Sequence, residues 1–293
     1  AAEESGANYL FEASVGGGIP IIRPLCQCLA ANYIEGIAGI LNGTTNFILT
    51  MMIEKGMSFD EALKIAQEKG YAEKDPTADV EGYDACRKVC ILASLAFGKH
   101  VYPNQVETEG ITNITLEDVS YIENAGGVIK LLGQIKYIND NEIAAFVSPA
   151  VVYNGSQLAS VKDVFNAILV RGDAVGDVCF YGPGAGKLPT ASAVVADIID
   201  CAKHSERKKI FGWGAGDEDY VVDYKERIEM PFYVRAKATP AEINAKFSDV
   251  KFLSRKGQPS DEVAFITDIM TENKLNKKLD GINVINTIKV TNY

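Results

Sequence analysis

Basic charge is in short supply in this 293-residue chain: 29 Lys and Arg stand against 39 Asp and Glu, for a net charge of −10 and a pI of about 4.9. That balance argues against nucleic acid, whose binding needs a basic surface. No apolar run approaches the roughly 18 residues of a membrane span. No charged, apolar and small-residue succession of a signal peptide opens the chain. Histidine is scarce too, with His100 and His204 only. Of the six cysteines, Cys26 and Cys28 form a CxC pair, and Cys86 and Cys90 are four apart. Neither pair has a histidine nearby, which leaves no zinc set. Cys179, Cys201 and the rest sit mostly in apolar surroundings and read as free thiols in a reducing cytoplasm.

A nucleotide loop is also lacking. Gly16-x-Gly18, Gly182-x-Gly184 and Gly212-x-Gly214 are followed by Ile21, Lys187 and Asp217 where GxGxxG needs glycine. GPGAGK (182–187) is one residue short of a Walker loop, and Leu188 stands in place of its Ser/Thr.

What is present suffices for a sizeable core. At 47% hydrophobic, the length suggests two domains with a small third unit. Ala1–Gly6 reads as the last turns of a helix with no N-cap before them, as if a further domain stood upstream. Tyr9–Ser14 reads as a short strand and leads into Val15-Gly16-Gly17-Gly18-Ile19-Pro20, a tight turn whose backbone can approach a ligand or ion closely. A helix is expected from Pro20 to about Asn32. Ile34–Leu41 reads as a buried strand, followed by the donor-rich turn Asn42–Asn46 and a helix to Lys55. Ser58 and Glu61 form a capping box.

The most charged stretch is Gly70–Lys88, GYAEKDPTADVEGYDACRK. It carries Glu73, Asp75, Asp79, Glu81 and Asp84 beside Lys74, Arg87 and Lys88. A loop braced by Pro76 leads into a helix on which Asp84 and Lys88, four apart, share a face. Such a stretch suits a small polar substrate; taken alone, it reads more readily as a solvated, acid-rich helix start.

Beyond it, a helix is expected at 116–125. Strands are expected at 129–138 and 142–152, joined by a hairpin at Asn139–Asn141, and again at 164–170 and 178–181. Gly182–Gly186 precedes a helix over Leu188–Ala202, whose N-terminal amides could meet a phosphate. Lys203–Glu218 reads as a linker, and 231–290 as a small unit of alternating strands and helices.

Four segments in this order, FEASVGGGIPIIRPL, ILNGTTNFIL, GYAEKDPTADVEGYDACRK and FYGPGAGKLPTASAVVADI, resemble the catalytic half of homoserine dehydrogenase. The resemblance spans about residues 1–201. It implies NAD(P)-dependent interconversion of L-aspartate 4-semialdehyde and L-homoserine, on the route to threonine, methionine and isoleucine. It also places the family's Rossmann domain N-terminal to this region, so that this chain would be inactive alone.

Residue by residue, Lys88 resembles the catalytic lysine, with Asp79 as the supporting acid. Glu73, Asp84 and Thr44 stand where substrate is bound. Gly182, Gly184, Gly186 and Asn42 stand near the cofactor. Glu12, Val15, Gly17 and Ile19 resemble a loop that holds a sodium or potassium ion, mainly through carbonyl oxygens.

The implied fold is α+β: a mixed β-sheet covered by helices, followed by a small ACT-like (ferredoxin-like) domain. The expected boundaries are 1–203 for the catalytic and dimerisation domain, with 182–203 returning towards the nucleotide domain, then 204–228 for a linker and 229–293 for the ACT-like regulatory domain. That last unit departs from the pattern: Lys237-Ala238-Thr239-Pro240 stands where a D-x-P-G-V-L-type loop is usual. A homodimer paired through a sheet edge is expected, with an amino-acid effector at the C-terminal domain. The alternative is a non-catalytic, dimerising amino-acid sensor. A hydrolase using paired carboxylates would leave Lys88 and the glycine loops without a role.

Overall fold

The computed structural model describes residues 2–204, 206 and 212–293. Helix α1 (Ala2–Ser5) stops at Gly6, where φ is 71°. Tyr9–Ser14 is not the expected strand; it closes in a 3-10 turn over Glu12–Ser14. The cause is the Glu12 carboxylate, which turns inward. Its Oε1 accepts the N–H groups of Ile21 and Ile22 at 2.6 and 2.7 Å, and its Oε2 that of Arg23 at 2.9 Å. Free amides at a helix start are donors in need of such an acceptor. The helical run beyond is shorter than Pro20–Asn32. Pro24 has no N–H to donate, and the turn widens to a π-helix over Pro24–Cys28, closed by Leu29 N–H on Pro24 O at 2.9 Å.

Strand β1 (Ile34–Ile40) is buried from Gly36 onward, which explains its unbroken run of apolar and small residues. Asn42 caps α2 (Gly43–Lys55), and Gly56 ends it at φ 63°. Ser58 and Glu61 form the expected capping box of α3 (Phe59–Glu68). The charged stretch folds as a loop, the single turn α4 (Thr77–Val80) and the longer α5 (Tyr83–Phe97). Helix α5 lies very close to the sheet: a Cβ at Gly133 would stand 2.4 Å from the Val89 side chain. Glycine there sets the height of α5, and so of Asp84 and Lys88, above the strands.

The strand β2 (Glu107–Thr108) and α6 (Leu116–Asn124) follow. Then come two hairpins, β3 (Gly127–Asn139) with β4 (Glu142–Tyr153), and β5 (Phe165–Gly172) with β6 (Gly176–Pro183). Helix α7 (Lys187–Lys203) leaves the second hairpin.

From Tyr220 onward the expected linker is packed, while most of its described residues before that are exposed. Tyr220 and Tyr224 are buried, and Ile143 exchanges backbone hydrogen bonds with Tyr220 and Val222 at 3.0 and 2.9 Å. Next come α8 (Tyr224–Arg227), β7 (Glu229–Met230), β8 (Phe232–Lys237), α9 (Pro240–Lys246), β9 (Val250–Leu253), β10 (Glu262–Thr267), β11 (Met270–Thr271), α10 (Glu272–Leu279) and β12 (Asn283–Thr291). The order β12-β8-β10-β9 gives the C-terminal unit a ferredoxin-like β-α-β-β-α-β topology. Its strand β12 pairs in parallel with β4, Lys289 opposite Ala150 and Thr291 opposite Val152. A ten-stranded mixed sheet, β6-β5-β1-β3-β4-β12-β8-β10-β9 with β2 on β4, therefore runs through both units. The α+β class with a helix-covered mixed sheet is as expected.

One buried cation braces the sheet end. Lys130 on β3 is 2% exposed and donates to Asn46 Oδ1 at 3.0 Å and to Val161 O. Burial, with repulsion from Lys162, pushes its ammonium down to about 8. The folded state thus binds fewer protons than the unfolded chain between about pH 8 and the usual lysine range near 10.4. Stability gains as pH rises through that window. Between pH 7 and 9 this group adds about 1 kcal/mol. Urea melts should give that slope, and Lys130→Met should flatten it; an unchanged slope in the variant would remove Lys130 as its source.

Candidate active site

The C-terminal end of β1, the start of α2 and the first turns of α5 meet at one place. Lys88 Nζ donates to Leu41 O at 2.8 Å and to Asp84 Oδ2 at 2.6 Å. The i, i+4 spacing on α5 produces the Asp84 pair, and Leu41, the residue after β1, supplies the carbonyl. An ammonium has three N–H donors, so one remains for a ligand. The Lys88 side chain as a whole is one-fifth exposed.

Asn42 ties the cluster together. Its Nδ2 donates to Asp79 Oδ1 at 2.7 Å and to Asp84 Oδ2 at 2.9 Å, while its Oδ1 accepts from Thr45 N–H at 2.8 Å. The same side chain caps α2 and bridges two carboxylates that would otherwise repel. Burial, with repulsion from Asp84, holds Asp79 above the usual carboxylate range; the Asn42 hydrogen bond and the charge of Lys88 pull the other way. Asn42 is 5% exposed, and these contacts occupy its amide. Thr44, also expected at the site, donates its hydroxyl to Tyr71 O at 2.7 Å and stands beside Asp79, whose charged form it favours.

Glu73 stands apart. It is exposed on the loop, where Gln67 Nε2 holds its backbone oxygen at 3.1 Å. Its carboxylate makes no hydrogen bond or ion pair among the described residues, and so is free to take a ligand cation. The structure thus gathers Asn42, Asp79, Asp84 and Lys88, and leaves Glu73 at the rim. The carbonyl of Leu41 was not anticipated: a backbone acceptor has no sequence signature.

The two glycine loops form one wall. Gly18 N–H donates to Pro183 O at 3.2 Å. Gly17 has φ 57°, and a Cβ there would lie 2.3 Å from Gly184 O. A Cβ on Gly184 would in turn fall 2.1 Å from the Asn166 side chain. Gly17→Ala meets both a left-handed backbone and a backbone oxygen, and should cost about 1–3 kcal/mol in a urea melt; a neutral result would mean the loops do not pack this way. Beneath the wall, Arg23 pairs with Asp197 of α7, and Asp197 Oδ2 accepts Glu12 N–H at 2.9 Å.

With its carboxylate engaged by three amides, Glu12 is left with its backbone carbonyl as an oxygen for any cation. No cluster of three His, Cys, Asp or Glu suited to a metal occurs among the described residues. Gly182 is buried in β6, while Gly186, at φ 122°, opens the 17-residue α7 without a side-chain cap, leaving its first amides available. On α7, Leu188, Val195, Ile198 and Ile199 are 79, 50, 61 and 49% exposed.

The homoserine dehydrogenase family model matches residues 20–199. The homoserine dehydrogenase of Synechocystis is 50% identical over 203 residues, which are 68% of this chain and 47% of that protein. The chain spans about half the length of the curated relatives it matches. Among solved structures, a homoserine dehydrogenase from Thiobacillus denitrificans superposes with a TM-score of 0.85 at 37% identity, covering 99% of this chain and 72% of that one. A hyperthermophilic archaeal homoserine dehydrogenase mutant, solved in complex with NADPH, gives a TM-score of 0.57 at 32% identity over 69% of this chain and 58% of that one. With the Asn42, Asp79, Asp84 and Lys88 cluster inside the matched segment, the chain belongs to the homoserine dehydrogenase family.

Proposed function

We propose that this chain carries the substrate-binding and proton-transfer part of an NAD(P)H-dependent reduction of L-aspartate 4-semialdehyde to L-homoserine, serving threonine, methionine and isoleucine synthesis. The observation that carries the reading is Lys88, fixed by Leu41 O and Asp84 with one N–H left over. That N–H donates to the aldehyde oxygen, and its proton passes to the oxygen as negative charge develops there. Asp84 orients the ammonium. Asn42 holds Asp84 and Asp79 in register, and the free Glu73 carboxylate takes the amino acid's ammonium group.

The nicotinamide, when bound, supplies the hydride. The open amides after Gly186 and the close-packed glycine loops suit a cofactor edge, and the archaeal relative's NADPH complex supports that class. Among the described residues there is no doubly wound parallel sheet to hold a dinucleotide. The exposed apolar side of α7 fits a nucleotide domain packed against it. A sodium or potassium ion on the carbonyls of Glu12, Val15, Gly17 and Ile19 would stiffen the glycine wall.

Further parts of the reading are a cytoplasmic homodimer and an effector-binding role for the ferredoxin-like unit. Phe165 and Tyr181, stacked at 5.3 Å on the outer hairpin and 36 and 59% exposed, support pairing of two copies there. The test of substrate binding is Glu73→Gln, assayed in the chain joined to a nucleotide domain. KM for the semialdehyde should rise with kcat little changed; an unchanged KM would take Glu73 out of the site.

A further inference from the structure

Away from Lys88, a cavity of about 230 Å³ opens where the long β3–β4 hairpin meets the C-terminal unit. Gln134 and Lys136 of β3 line one side, and Glu229, Met230, Pro231 and Ile269 the other. Two features have no structural use. Gln134 is 2% exposed, yet its Nε2 has no hydrogen-bond partner. A buried amide donor left unpaired costs roughly 1–3 kcal/mol unless something accepts from it. Lys136 pairs with no carboxylate among the described residues. Its neighbours are the Tyr293 ring, 5.8 Å from Nζ, and Arg171, whose guanidinium is already committed to Asp177. Burial, with repulsion from Arg171, holds the Lys136 ammonium below its usual range. Two donors, one of them cationic, thus line a cavity in which neither has a partner. At its mouth Ile269 is 65% exposed.

We propose that this cavity is a binding site for a small carboxylate with a short apolar body, received by Lys136 Nζ and Gln134 Nε2 and covered by Met230, Pro231 and Ile269. The volume lies below the range of about 300–1,000 Å³ typical of drug-sized ligands, so the occupant has the size of an amino acid or a short 2-oxo acid. Both chemistries share the carboxylate. They differ in the ammonium, which the exposed Glu229 beside the cavity would accept. Because one wall belongs to the catalytic sheet and the other to the ferredoxin-like unit, an occupant ties the two together.

Calorimetric titration of the 293-residue chain with L-valine and with 3-methyl-2-oxobutanoate tests this. Saturable binding of at least one, with Kd below about 1 mM, is expected. Lys136→Met should weaken it at least about tenfold and Gln134→Leu severalfold, as the loss of a hydrogen bond to a charged group predicts. Preference for L-valine that disappears in Glu229→Gln identifies an amino acid; equal binding indifferent to Glu229 identifies a plain carboxylate. Absence of saturable binding by either compound overturns the proposal. So does binding that survives unchanged in Gln134→Leu, a variant that keeps every charge and remains informative if Lys136→Met fails to fold.

Discussion

Lys88→Ala lowers kcat by about 10²–10⁴-fold in the chain joined to a nucleotide domain, the usual cost of removing one positioned acid. The size of the effect follows from the geometry. Two of the three N–H groups of Lys88 are committed, to Leu41 O and Asp84 Oδ2, so the third has a fixed direction. Among the described residues no other cation pairs with Asp84 to replace it. The loss should fall on kcat and kcat/KM together, because the interaction strengthens as the oxygen gains charge. Methylammonium in the assay should restore part of the rate, since the space and both acceptors remain. Lys88→Arg should not restore it, because a guanidinium cannot give up its proton at neutral pH. A kcat within severalfold of the unmutated protein would place the proton donor elsewhere.

The second large effect is on stability. Asp118→Ala should cost about 3–5 kcal/mol, the scale for breaking a buried ion pair by removing one partner. Asp118 is 0% exposed and receives five groups. Thr115 N–H and Oγ1 meet its Oδ2 at 3.1 and 3.2 Å, completing the α6 capping box. Asn286 Nδ2 meets Oδ2 at 2.9 Å, Tyr233 OH meets Oδ1 at 2.9 Å, and Arg235 Nε lies 3.0 Å from Oδ1. The Arg235 contact is ionic rather than an aligned hydrogen bond, since Nε has no partner by hydrogen-bond geometry. Asp118 on α6 therefore holds the ferredoxin-like unit through β8 and β12. Its removal leaves Arg235, 4% exposed, with a neutral acceptor, Thr115 Oγ1 at 3.1 Å, and the longer contacts to Glu117 and Glu262 at 3.7 and 3.9 Å. In a chain of this size the midpoint should fall on the order of 10 °C. Lys162→Ala is the control. It breaks a pair with Glu54 that is 61 and 35% exposed, and such surface pairs contribute about 0–1 kcal/mol. Equal shifts from the two variants would contradict the buried dock.

The Asp84–Lys88 pair was readable because helical spacing is local, as were the Ser58–Glu61 cap and the Asn139–Asn141 hairpin turn. The bridge by Asn42 was not. The sequence shows an asparagine before a helix, which reads as a cap or a ligand contact. That its amide spans Asp79 and Asp84 depends on how β1 sits against α5, which Gly133 and Val89 decide across the sheet. Tyr9–Ser14 misled for a related reason: its short, apolar opening suits a strand, but the Glu12 carboxylate is drawn to amides nine to eleven residues on. Nor could local patterning reveal that β12 completes the sheet beside β4, since a parallel pairing across such separation leaves no turn signal.

The central claim is that the Lys88 cluster performs the semialdehyde side of a dehydrogenase whose dinucleotide is held by another fold. The most direct measurement is NADPH oxidation in the presence of L-aspartate 4-semialdehyde, by the 293-residue chain alone and by the same chain joined to the nucleotide domain of a homoserine dehydrogenase such as that of Synechocystis. The account predicts turnover in the joined protein, its loss in Lys88→Ala, and none in the chain alone. Turnover by the chain alone, or a folded joined protein with Lys88 intact and no turnover, would contradict it.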